Sequence, residues 1–119
     1  MKRFYYLSTC STCQRILKTL NLPIEVELID IKANPIDEQT LDWLAHKTKS
    51  YEALFSKRAL KFRELGLHLQ TLSEHDYKKY LLQDYTFLKR PVLIFDENIW
   101  IGNAAKTVQD AVDFLQSKK

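Results

Sequence analysis

A chain of 119 residues, 45% hydrophobic and 28% charged, is ordinary for a soluble globular protein and long enough for one domain with a useful core. Its formal net charge of +3 establishes no nucleic-acid partner, because the basic residues are mixed with acids, and no apolar run approaches the length that crosses a bilayer. Met1, Lys2 and Arg3 lead directly into a short strand-like run rather than the longer apolar stretch of a signal peptide, so a cytoplasmic protein with no membrane partner is expected.

In chain order, residues 4–7 (FYYL) read as a first strand. Residues 13–21 place Ile16, Leu17 and Leu20 at helical spacing, and Asn21, Leu22 and Pro23 end that helix. Residues 25–31 (EVELIDI) alternate apolar and acidic side chains and predict a second strand. Strand, helix, strand favours a βαβ unit with a parallel pair. After a connection over 32–35, Asp37 opens a helix with Leu41, Leu44 and Ala45 as its stripe. Tyr51, Leu54 and Phe55 begin a helical or turn segment, and residues 60–65 continue a helical pattern that Gly66 is placed to cap. Ser73 is a good N-cap for a helix through Leu82, with Glu74 and Asp76 in its first turn.

The wholly apolar residues 92–95 (VLIF) predict a strand, residues 96–98 a turn, and residues 99–101 (IWI) the returning strand of a hairpin. A last helix over 107–115 carries Val108, Ala111, Val112 and Leu115 on one face, and Lys118 and Lys119 read as a frayed end. The pattern is a single α/β domain over 1–119, a βαβ…ββα core with a mostly helical insertion at about 36–85.

Cys10 and Cys13 are the only cysteines, in the run Ser8, Thr9, Cys10, Ser11, Thr12, Cys13. A C-x-x-C pair between a first strand and a first helix reads as a thioredoxin-like redox motif. A thiol at a helix N-terminus faces unpaired N–H groups and the positive end of the dipole, which favour its thiolate. Cys10 lies nearer the helix start, so it is the expected nucleophile and Cys13 the resolving thiol. The spacing permits an internal disulfide. Two other readings stand beside this one. In one, the pair is half of a zinc site, for which His46, His68 and His75 are the remaining candidates, though none forms a second tight pair. Two inert buried thiols are the other reading, against which the polar neighbours Ser8, Thr9, Ser11 and Thr12 speak.

The motif, its following Arg15, residues 56–66 (SKRALKFRELG), residues 88–94 (LKRPVLI) and the hairpin ending at Gly102 occur in one order. Together they resemble the arsenate reductase-like (ArsC/Spx) family of the thioredoxin-like superfamily, over essentially the whole chain. The resemblance implies a thioredoxin-like, glutaredoxin-like fold and a cis bond before Pro91, close to the reactive cysteine. An ordinary trans proline opening a strand is the alternative. It also implies that Arg58 and Arg90 bind an oxyanion or stabilise the thiolate, work that suits a planar, always-charged guanidinium. For Arg58 a solvated helix charge is the competing reading.

Two departures from the arsenate-reducing pattern matter. Where those enzymes carry a third arginine after the hairpin glycine, this chain has Asn103, and the next cation is Lys106. Glutaredoxin-coupled arsenate reductases also lack the second cysteine, whereas Spx-type regulators form a reversible disulfide with it. The resemblance therefore implies either a thiol-dependent oxidoreductase, with arsenate itself a doubtful substrate, or an Spx-type redox-switched regulator that binds RNA polymerase. No bound cofactor or metal is expected, and glutathione with glutaredoxin, or thioredoxin, is the expected reductant.

Overall fold

Four strands form one sheet in the order β2-β1-β3-β4, in a computed structural model that describes residues 1–118. β1 (Lys2–Tyr6), α1 (Ser11–Leu20) and β2 (Glu27–Asp30) make the first half, with β2 parallel to β1 and Phe4 opposite Leu28. β3 (Val92–Phe95), β4 (Asn98–Ile101) and α5 (Ala105–Ser117) make the second. β3 runs antiparallel to β1, with Tyr5 opposite Val92, and β4 antiparallel to β3, with Val92 opposite Ile101. The fold is mixed α/β with a thioredoxin-like layout. No helix among the described residues is long and apolar enough to cross a membrane.

Strand position explains strand composition. All four residues of β3 are buried, as a central strand covered on both faces requires. β2 is an edge strand, shorter than the alternation suggests, and its Leu28 is exposed. The β3–β4 turn closes through Asp96, whose φ of 56° supplies the left-handed geometry that two-residue hairpin loops need. Phe4, Ile16, Leu20, Val26, Leu93, Phe95, Ala111 and Leu115 form a buried cluster, so α1 and α5 cover one face of the sheet. α5 is longer than its apolar stripe, running to Ser117. At the end of α5 the Lys118 N–H donates to the Leu115 carbonyl at 3.2 Å, and its ammonium lies 5.0 Å from the Phe114 ring centre. Lys119 lies outside the described residues.

The chain forms two compact units, Met1–Asn34 with Arg90–Lys119, and Pro35–Lys89. The second contains α2 (Glu38–Thr48), α3 (Leu60–Glu64) and α4 (Glu74–Gln83), joined by short 3-10 turns. Asp37 caps α2 by accepting from the Thr40 N–H at 3.0 Å. Ser73 and Asp76 cap α4 reciprocally, at 3.2 and 2.9 Å, the arrangement that satisfies two otherwise orphaned N–H groups. Phe55 anchors this unit's interior. It stacks on Phe87 at 4.8 Å and meets Tyr77 edge-on at 5.0 Å, a geometry that aromatic quadrupoles favour.

Candidate active site

Beyond β1 the chain turns sharply into α1. The Cys10 N–H donates to the Leu7 carbonyl at 3.0 Å, and the Cys10 carbonyl accepts from the Gln14 N–H at 3.1 Å. Cys10 is thus the N-cap of α1, with extended φ and ψ of −93° and 114°, and the helix begins two residues before Cys13. No acidic residue occupies the first turn of α1, so nothing there offsets the positive end of the dipole.

The two thiols are free and differ in environment. Cys10 is half-buried, whereas Cys13 has no exposed surface. That corrects the expectation that polar neighbours keep the pair from full burial. Cys13, Ile16 and Leu20 are the buried positions of α1, and helical spacing puts Cys13 on that inner stripe whatever its sequence neighbours are. Burial pushes the Cys13 thiol up to about 11, reinforced by its hydrogen bond to Cys10 and by the charge there, and only partly relieved by a backbone hydrogen bond at Leu7 and by Arg90. Partial burial also works against ionisation at Cys10. Hydrogen bonds from the Cys13 backbone, the Cys13 thiol and the Thr12 backbone, together with the Arg90 charge, outweigh it and hold Cys10 below the ordinary thiol value.

Arg90 reaches this site through strand register. Tyr5 lies opposite Val92, so the antiparallel register brings Pro91 level with Tyr6, the last residue of β1, and carries Arg90 one residue past it, where the cysteine turn begins. The Arg90–Pro91 bond is cis. The Pro91 carbonyl accepts from the Gly102 N–H at 2.9 Å, which ties the end of β4 to the start of β3. An apolar pocket lies alongside, lined in part by Ile16, Leu20, Pro91, Trp100, Gly102 and Val108.

Arg58 is exposed in the turn before α3, in the helical unit. Asn103 is exposed, and Lys106 pairs with Asp110 one helical turn along α5, at 3.2 Å. Among the described residues no three His, Cys, Asp or Glu side chains gather as a metal site. Sequence reading missed a group around Ser8. Its Oγ donates to Asp30 Oδ2 at 2.6 Å, its carbonyl accepts from Gln14 Nε2 at 2.9 Å, and Asp30 Oδ1 accepts from the Lys32 N–H at 3.2 Å. An acidic residue closing a strand just before a loop was the one available signal, and it is weak.

Residues 5–111 match the ArsC family. The chain belongs to the ArsC family. Among solved structures it is similar to a possible arsenate reductase from Streptococcus mutans UA159, at 30% identity and a TM-score of 0.73, covering 92% of this chain and 96% of that one. It is similar in fold to an arsenate reductase from Vibrio cholerae, with 18% identity, a TM-score of 0.77 and coverage of 92% and 96%. The same holds for an arsenate reductase related protein from Brucella melitensis, with 22% identity, a TM-score of 0.70 and coverage of 92% of both chains. No curated protein matches the sequence. The thioredoxin-like layout of this ArsC-family protein thus rests on its own topology and on these likenesses together.

Proposed function

We propose that this protein is a cytoplasmic thiol-dependent oxidoreductase in which Cys10 is the nucleophile and Cys13 the resolving thiol. The observation that carries the reading is the unequal pair: a half-exposed Cys10 held below the ordinary thiol value beside a buried Cys13 pushed up to about 11. That inequality makes Cys10 ionise before Cys13, giving one thiolate hydrogen-bonded by one thiol, the state disulfide exchange needs. The Cys10 thiolate attacks one sulfur of a disulfide substrate. A mixed disulfide forms, and the other substrate sulfur leaves as a thiolate that takes up a proton. Cys13 then loses its proton and attacks Cys10 Sγ. This forms the Cys10–Cys13 disulfide and releases the second substrate thiol. The substrate gains two electrons and the protein loses two, which an external thiol reductant, glutathione with glutaredoxin or thioredoxin, restores.

Arg90 supports the thiolate by its charge. Arg58 is assigned as a second oxyanion-binding cation on the family resemblance alone. Asn103 carries no charge and Lys106 is paired with Asp110, so neither replaces the third arginine after the hairpin, and weak arsenate reduction is part of this reading. The same departure, together with the second cysteine, favours a second reading: a redox-switched regulator of the Spx type whose disulfide alters a surface for RNA polymerase.

The test is reduction of a mixed glutathione disulfide and of arsenate by the full chain, with glutathione plus glutaredoxin compared with thioredoxin. Disulfide turnover that Cys10→Ser abolishes and Cys13→Ser weakens supports the enzyme. No turnover with either system, alongside redox-dependent capture of purified RNA polymerase, replaces it with the regulator.

A further inference from the structure

The turn that presents Cys10 is held from outside its own sequence. Residues 7–10 form a tight turn closed by the Cys10 N–H to Leu7 carbonyl bond, but that bond alone leaves Ser8 and Thr9 exposed and free to pivot. Two side chains remove that freedom. Gln14, one turn into α1, donates to the Ser8 carbonyl at 2.9 Å. Asp30, at the C-terminal end of β2 and 22 residues along the chain, accepts from Ser8 Oγ at 2.6 Å. Asp30 is itself held in place, since its other oxygen accepts from the Lys32 N–H at 3.2 Å and the adjoining Ile31 N–H donates to the Tyr6 carbonyl at 2.9 Å.

We propose that Asp30, acting through Ser8, is a positioning residue for Cys10: it fixes the 7–10 turn so that the Cys10 sulfur meets the backbone donors at the start of α1. The inference rests on the reading of Cys10 as the reacting thiol. Its chemistry has a distinctive sign. The charged groups concerned are Arg90 from the start of β3, the thiol of Cys13 from α1, and Asp30 with its neighbour Lys32 beside the turn. A carboxylate acting on Cys10 only through its charge disfavours the thiolate, so removing it lowers the Cys10 midpoint. A carboxylate acting by position does the reverse, because its loss lets the turn move and the sulfur lose its donors. The ionised state of Asp30 fits a permanent acceptor: the Ser8 hydroxyl first, then the Lys32 N–H, hold its carboxyl below the usual range.

The experiment is the pH–rate profile for alkylation of Cys10 by iodoacetamide, read by mass spectrometry on the reduced full chain. The native chain is compared with Asp30→Ala, Ser8→Ala, the double variant and Asp30→Asn. Asp30→Ala and Ser8→Ala each raise the midpoint by about half a unit, which means up to about threefold less thiolate at a pH below it. The double variant goes no further than the larger single one, as expected for two members of one contact. Asp30→Asn keeps an acceptor for Ser8 and moves the midpoint no higher than in the native chain.

A lowered or unmoved midpoint in a folded Asp30→Ala chain overturns the proposal, as do additive shifts. If Asp30→Ala does not fold, Ser8→Ala carries the test alone. A native Cys10 that reacts no faster than Cys13 overturns the reactive-thiol reading and this inference together. A reactive native Cys10 whose profile ignores Asp30 and Ser8 overturns only the inference.

Discussion

Cys10 and Cys13 stand three positions apart, yet their acidities shift in opposite directions. Position on the helix decides this: Cys10 caps the open end of α1, where N–H groups have no carbonyl partners, and Cys13 turns inward with Ile16 and Leu20. In the reduced, folded protein at pH 7, alkylation reaches Cys10 first. Cys13 is left unlabelled until the pH approaches its raised value of about 11. Faster labelling of Cys13 reverses the roles. Arg90→Ala removes a cation that favours both thiolates. It therefore raises the Cys10 midpoint and slows alkylation at neutral pH, by up to about tenfold for one full unit. Asn103→Arg adds a charge-assisted contact of the kind worth roughly 1.5–3 kcal/mol, so it tightens binding of an oxyanion such as arsenate, measured by calorimetry. Unchanged affinity removes Asn103 from the account of weak arsenate reduction.

Each element does something its composition already suggests, with ends set by capping. α4 begins where Ser73 and Asp76 satisfy each other's backbone N–H groups, so Ser73→Ala destabilises the protein by about 1 kcal/mol, read as a lower urea midpoint at constant slope. α1 differs. Its N-cap is Cys10, which brings a sulfur rather than a side-chain oxygen to the N–H groups of Thr12 and Cys13. A serine or aspartate there would cap better, and α1 instead leaves its first N–H groups available to the sulfur. β3 contributes through register rather than propensity, since its antiparallel pairing with β1 is what brings Arg90 beside the cysteine turn.

The two compact units each have their own apolar interior. In the sheet unit Phe4 is wholly buried on a central strand, among Ile16, Leu20 and Leu93. In the helical unit Phe55 is equally buried, against Phe87 and Tyr77. Truncating either leaves a large void in packed surroundings, so Phe4→Ala and Phe55→Ala each cost about 3–5 kcal/mol, measured by denaturant unfolding. A cost below about 1 kcal/mol means that the site collapses around the smaller side chain. Cys10, Cys13, Arg90 and Pro91 belong wholly to the sheet unit, whereas Arg58 belongs to the helical one.

Element order and type were legible in the sequence because those signals are local. The period of Ile16 and Leu20, the apolar run of β3 and the caps Asp37 and Ser73 each act within one or two turns of the chain. The C-x-x-C pair and its place after the first strand were legible for the same reason. Only the tertiary structure decided that Leu28 lies on an exposed edge and that Asp30 grips Ser8. Exposure, register and thiol acidity depend on groups brought close by closing the sheet. Asp30 is 22 residues from Ser8, and no period within either segment encodes their meeting.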